Sequence, residues 1–150
     1  MQIGNAKIQG MTEDLNLTGN DYNIALLSFF VTYIIFEVPS NLIIKKVRPS
    51  IFLSSIMVLW GIATMAQGLV TNLGGLVALR LLIGIFEAGL FPGILYLISS
   101  WYKRYELQWR FNLFFSASIL AGGFGGLLAY AIANMAGVGG YNGWSWIFIL

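Results

Sequence analysis

The chain has no cysteine and no histidine among its 150 residues. The first absence excludes disulfides, thiolate metal sites and a cysteine nucleophile. The second removes histidine–metal sites and a histidine general base. Charge is nearly as scarce. Asp, Glu, Lys and Arg make up 9% of the sequence, where a soluble domain carries about 25%. There is also no basic stretch leading into an apolar core at the N-terminus, so no cleaved signal peptide is expected. What fills the space is apolar: 58% of residues are hydrophobic and the mean hydropathy is +0.79. This is the composition of a membrane protein, and the length of its apolar runs makes the expected fold class all-α, a polytopic bundle of transmembrane helices.

A helix needs about 20 consecutive, mostly apolar residues to cross a bilayer. Four segments meet that requirement: Ile24–Ile44, Ile51–Val70, Gly74–Ser99 and Phe111–Met135. They are continuous and too long for barrel strands. Trp144–Leu150 opens a further apolar segment. Between the first two spans lie Lys45, Lys46 and Arg48; between the last two lie Lys103, Arg104, Glu106 and Arg110. The remaining connections are Met1–Asn23, Thr71–Asn72 and Ala136–Gly143, and they are neutral or acidic on balance. Six of the eight Lys and Arg residues therefore fall on one side. The positive-inside rule makes that side cytoplasmic, with loops 45–50 and 103–110 facing the cytosol. Trp101, Tyr102 and Trp109 flank the second basic loop as an interfacial aromatic belt. Asn16-Leu17-Thr18 forms a glycosylation sequon on the opposite side, better explained as a chance tripeptide close to the membrane.

Two charges interrupt the third span. Arg80 and Glu87 are seven residues apart, which puts them on one helix face with roughly 10 Å between them along the axis. Bare charges in hydrocarbon cost at least about 2.5–3.5 kcal/mol each, so such residues face a bundle interior or a cavity and mark functional sites. The topology sets Glu87 near the midplane and Arg80 toward the outside. Gly84, on the same face, removes bulk where a helix, water or ligand must approach. One reading makes the two charges an ion pair that only fixes helix register. The other gives Arg80 an anion to attract and Glu87 a proton to carry. Glu37, a third intramembrane charge, is followed by Pro39, which is expected to kink its helix. Glu37 and Asn41, like Gly84, are candidates for a gate or a helix contact.

Gly89–Gly93 and Gly122–Gly126 each carry a GxxxG spacing, expected to let helices pack closely. Pro92 adds a flexible point beside Glu87. Gly137-Val138-Gly139-Gly140 lacks the strand–turn–helix context and the Lys of a phosphate loop, and reads as an outer turn. Tyr33, Tyr96, Phe114 and Phe115 are candidate cavity liners.

The chain resembles the major facilitator superfamily, in particular its anion:cation symporter branch with the fungal allantoate permease-like members. The resemblance rests on Ile3–Ile8, Leu17–Asn23, Glu37-Val38-Pro39-Ser40-Asn41-Leu42, Ser100–Arg104 and above all Arg80–Gly93 (RLLIGIFEAGLFPG). Arg80, Gly84, Glu87, Ala88 and Gly89 supply its R-x-x-x-G-x-x-E-A-G signature. It covers essentially the whole chain. It implies helices 2–5 of a twelve-helix transporter, with the tail of helix 1 and the start of helix 6. It further implies transport of a small organic anion (a vitamin or nitrogenous carboxylate), with the proton as coupling ion and no other cofactor. Arg80 and Glu87 become the pair that couples the two. Loop Asn41–Pro49 departs from the superfamily's usual gate pattern, with Asn41 in place of a Gly and Lys45 in place of an Asp. Gly122–Gly126 lacks the Gly-Pro step of antiporters, which favours symport. The expected partners are the lipid bilayer, the organic anion and the remainder of the transporter chain, with no nucleic acid. The expected location is the plasma membrane. As a fragment with one incomplete bundle, the chain alone is not expected to transport. The alternative is a small tetraspan assembly protein. A membrane enzyme is not expected, because no nucleophile or metal constellation is present.

Overall fold

The computed structural model describes residues 2–149. Met1 and Leu150, the outer limits of the first expected loop and the last expected segment, lie outside them. The described residues form helices and turns, with no strand among them. Two short helices, α1 (Gln2–Ile8) and α2 (Met11–Asp14), precede four membrane-length stretches. These are α3 (Asp21–Ile44), α4 (Pro49–Gln67), the pair α5 (Leu73–Ala88) and α6 (Leu90–Trp101), and α7 (Arg104–Ala133). A last short helix, α8, spans Gly143–Ile149. The region expected as a plain loop, 1–23, is thus largely helical.

Local sequence explains most boundaries. Pro49 opens α4 at a position whose N–H would have no partner inside the helix. Asn72 caps α5, its side-chain oxygen accepting from the Gly75 N–H at 2.8 Å. Pro39 lies within α3, which continues to Ile44 without a break. The interruption falls instead in the third span, at Gly89. Pro92 accounts for it. Lacking an N–H, it cannot bond the carbonyl four residues back, that of Ala88, and its ring crowds that carbonyl. Hydrogen bonding resumes at Gly93, whose N–H reaches the Gly89 carbonyl at 3.1 Å. The expected span 74–99 lies within the membrane-length stretch Leu73–Trp101, and the loss of one hydrogen bond at Gly89, which keeps right-handed helical dihedrals, falls just past Glu87.

The helices run back and forth, so the connections gather at two ends. Asp14, Thr71 and Asn142 line one pocket, which brings the three connections without net positive charge together. Ser50 and Trp101–Tyr102 line another at the opposite end, beside the two basic loops. There Arg110 stacks over the Tyr102 ring at 3.7 Å. At the first end Asp14 accepts hydrogen bonds from Asn142 Nδ2 at 2.7 Å and Trp144 Nε1 at 2.5 Å. A buried apolar cluster sits just beneath, built from Ile3, Met11, Leu15, Ala25, Leu76 and Trp144. It joins α1, α2 and α8 to the starts of α3 and α5.

Glycine decides how closely the long helices approach. A Cβ on Gly93 would stand 2.7 Å from Leu53 of α4, and one on Gly89 would stand 2.9 Å from Ile56. The Gly89–Gly93 spacing is thus a helix contact. The matching expectation for Gly122–Gly126 does not hold among the described residues. A Cβ on Gly122, Gly123, Gly125 or Gly126 would meet nothing within 4 Å. The GxxxG pattern marks where close approach is allowed, and no described helix comes close enough to these glycines to use it.

Candidate functional site

Arg80 and Glu87 project from α5 into one cavity of about 70 Å³. Its other walls are Trp60, Thr64 and Gln67 from α4, Ile83 from α5 and Phe148 from α8. The seven-residue spacing does place the two charges on one face. It does not make them an ion pair: no acidic oxygen lies within 4.0 Å of a basic side-chain nitrogen among the described residues. The partner of Arg80 is Gln67. With its amide oxygen turned toward the guanidinium, the orientation the hydrogen-bond network selects, Gln67 accepts from Nε at 3.1 Å and from Nη2 at 2.8 Å. Both side chains are deeply buried, Arg80 at 7% and Gln67 at 1% exposure.

The consequence is electrostatic. Gln67 satisfies donors of Arg80 but brings no counter-charge. Glu87 lines the same cavity but does not come within ion-pair distance. Burying an ion costs several kcal/mol, so among the described residues the cation has no counter-charge in contact. Glu87, half-buried, accepts no hydrogen bond from the described residues. Thr64, one turn before Gln67, directs its hydroxyl to the Trp60 carbonyl at 2.8 Å.

Gly84 faces a different neighbour. A Cβ there would collide with Thr32 Oγ1 and stand 2.6 Å from the Phe29 carbonyl oxygen, so the approach it permits is that of helix α3. Glu37 is exposed and Asn41 half-buried on α3; neither lines the Arg80 cavity. Tyr33, Tyr96, Phe114 and Phe115 are also absent from its walls. Phe114 and Phe115 instead form an aromatic cluster with Phe91 of α6. Gln67, Trp60, Thr64 and Phe148 were not singled out from the sequence. One signal was present for Gln67: it is the sole carboxamide in an otherwise uncharged span.

Four membrane-length stretches, with a buried cation and a carboxylate at one cavity between α4, α5 and α8, define a polytopic integral membrane protein with an intramembrane ionisable site. The family follows from comparison: residues 2–150 match the model of the Major Facilitator Superfamily, and the chain belongs to that family. It is 47% identical over 148 residues to an uncharacterized transporter of Schizosaccharomyces pombe, covering 99% of this chain and 30% of that protein. It is 40% identical to the MFS-type transporter cnsO of Penicillium expansum, covering 98% and 28%. It is 37% identical to the major facilitator-type transporter hxnP of Emericella nidulans, covering 99% and 30%. The chain thus spans about 30% of the length of these relatives. Their names are those of transporters, in agreement with the expectation that the chain is not an enzyme.

Proposed function

We propose that the chain forms part of the N-terminal six-helix bundle of a twelve-helix transporter, and that this transporter moves a small organic anion together with protons. Arg80 attracts the anion and Glu87 carries the proton. The observation that carries this reading is the neutral partner of Arg80. An arginine kept only to fix helix register would be paired with a carboxylate; this one is buried, held by an amide and open to a cavity. An anion is the complement that such a site lacks. The proton assignment draws on Glu87, a carboxylate at the same cavity with no basic side chain in ion-pair contact among the described residues. A tetraspan scaffold would need no uncompensated charge at that depth.

The R-x-x-x-G-x-x-E-A-G pattern at Arg80–Gly89 supports the anion:cation symporter branch, whose substrates are vitamins and nitrogenous carboxylates. Alternating access rocks one bundle against another around a site near the midplane. That motion requires the second bundle, so the 150-residue chain alone does not transport. The basic loops at 45–50 and 103–110 favour a cytoplasmic position for that end, and the plasma membrane is the proposed location.

The test is Glu87→Gln in the full-length transporter, with uptake of substrate into proteoliposomes. Proton-driven accumulation is expected to disappear, while exchange of substrate across the membrane continues. Accumulation at the wild-type level would remove Glu87 from proton coupling.

A further inference from the structure

We infer that Gln67 is a positioning residue for the anion: it fixes the guanidinium of Arg80 from one edge, keeps it charged, and leaves the opposite edge to grip a carboxylate end-on. The inference rests on the transport reading above and specifies its site. An arginine offers five N–H donors in a rigid planar fork. The Gln67 oxygen takes one from Nε and one from Nη2, which occupies the side edge of the plane. The second Nη2 hydrogen and both on Nη1 remain, and two of these point in parallel along the end edge. That is the geometry of a two-point grip on a carboxylate.

The packing makes the orientation rigid. Gln67 is the last residue of α4 and is 1% exposed. Gly68 follows it against α8, where an added Cβ would stand 2.8 Å from the Ser145 carbonyl oxygen and 3.1 Å from Phe148, so the backbone at the end of α4 is closely held. The Gln67 amide itself is enclosed, at 1% exposure. Among the described residues, Arg80 and Glu87 are the charged groups lining the cavity; α4 contributes Trp60, Thr64 and Gln67, and α8 contributes Phe148. At about 70 Å³ the cavity has room beside Arg80 for a group the size of a carboxylate.

The choice of glutamine over glutamate is then the element that sets specificity. The two side chains have nearly the same shape. A glutamate would hold the same edge of Arg80 but cancel its charge, and an incoming carboxylate would meet a neutral pair with a negative member. Methionine keeps length and apolar bulk but accepts no strong hydrogen bond, so the guanidinium loses its fixed plane while keeping its charge.

The experiment uses the full-length transporter in proteoliposomes with an inward proton gradient. Wild-type uptake is first measured for nicotinate, benzoate and acetate, and for uncharged nicotinamide. Uptake of at least one carboxylate in preference to nicotinamide is expected. Uptake of nicotinamide alone, or of none of the four, counts against the anion reading itself. Gln67→Glu is then expected to raise KM for the carboxylate by about 100-fold or more, with the amount of folded protein unchanged. Gln67→Met is expected to raise KM by roughly tenfold. A purely structural glutamine would alter folded yield and maximal rate rather than KM, so a wild-type KM in Gln67→Glu overturns the inference. A second measurement needs no substrate. Arg80→Gln is introduced into wild type and into Gln67→Glu, and thermal unfolding is followed. The drop in Tm is expected to be larger in the Gln67→Glu background, where a buried carboxylate loses its partner. Equal drops mean that residues 67 and 80 do not touch, and they overturn the inference whatever the uptake shows.

Discussion

Gly84 is where a single methyl group has the most to disturb. In Gly84→Ala the new carbon collides with Thr32 Oγ1 and lies 2.6 Å from the Phe29 carbonyl oxygen, where ordinary contact begins at 3.4 Å. Helices α3 and α5 must part locally by about 0.8 Å for the backbone oxygen alone. A gap of 0.5–1 Å forfeits a quarter to a half of the dispersion attraction between facing atoms. Overpacking of this kind costs typically about 1–3 kcal/mol. The upper half of that range applies here, because one colliding atom is backbone and cannot rotate away. The unfolding equilibrium constant should therefore rise about 30- to 140-fold. Equilibrium unfolding of the purified protein in mixed micelles, titrated with SDS and followed by tryptophan fluorescence, measures this directly.

Two companion variants separate the collision from the change of residue type. Gly123→Ala sits in the same kind of helix with nothing within 4 Å of its added carbon. It should be neutral or stabilising, by up to about 1 kcal/mol from helix propensity. Thr32→Ala combined with Gly84→Ala removes one of the two colliding atoms and leaves the other. Thr32 Oγ1 donates to that same Phe29 carbonyl at 3.0 Å and to Ser28 at 3.1 Å, and both acceptors keep their place in the helix backbone without it. Partial recovery is expected, not complete recovery. If Gly84→Ala unfolds like Gly123→Ala, the close approach of α3 and α5 at this position is wrong.

Two further outcomes test the ends of the bundle. Asp14→Ala removes the acceptor for Asn142 Nδ2 and for Nε1 of the buried Trp144, at a cost of about 1–3 kcal/mol; hydrogen–deuterium exchange across 143–149 should accelerate, and unchanged protection there would show that the contact does not hold α8. Because the chain has no native cysteine, Lys46→Cys and Thr71→Cys each give a single thiol in it. An impermeant maleimide applied outside intact cells should label Thr71→Cys and spare Lys46→Cys until the membrane is permeabilised, and the reverse pattern would invert the proposed topology.

What the sequence made legible was whatever a single helix encodes. Each span could be read because apolar length is a local property, and Arg80 and Glu87 could be put on one face because helical periodicity is local too. The end-to-end grouping of loops followed from counting spans. Partnerships between helices were not legible. Nothing in α5 alone says that Gln67, thirteen positions earlier and on another helix, would hold Arg80, a contact that one reading of the spacing gave to Glu87. The same limit explains both glycine pairs: the GxxxG spacing is identical at 89–93 and 122–126, yet only the first has neighbours within contact distance. Pro92 shows the intermediate case. Its effect on Ala88 is a local rule, but whether a span bends or breaks depends on whether the neighbouring helices can accept the offset, and here α4 packs directly on the discontinuity through Ile56 and Phe52. Gly89 keeps right-handed helical dihedrals across the lost bond, so the span runs on from Leu73 to Trp101. Pro92 therefore costs one hydrogen bond without ending the helix, because α4 holds the backbone on both sides of it.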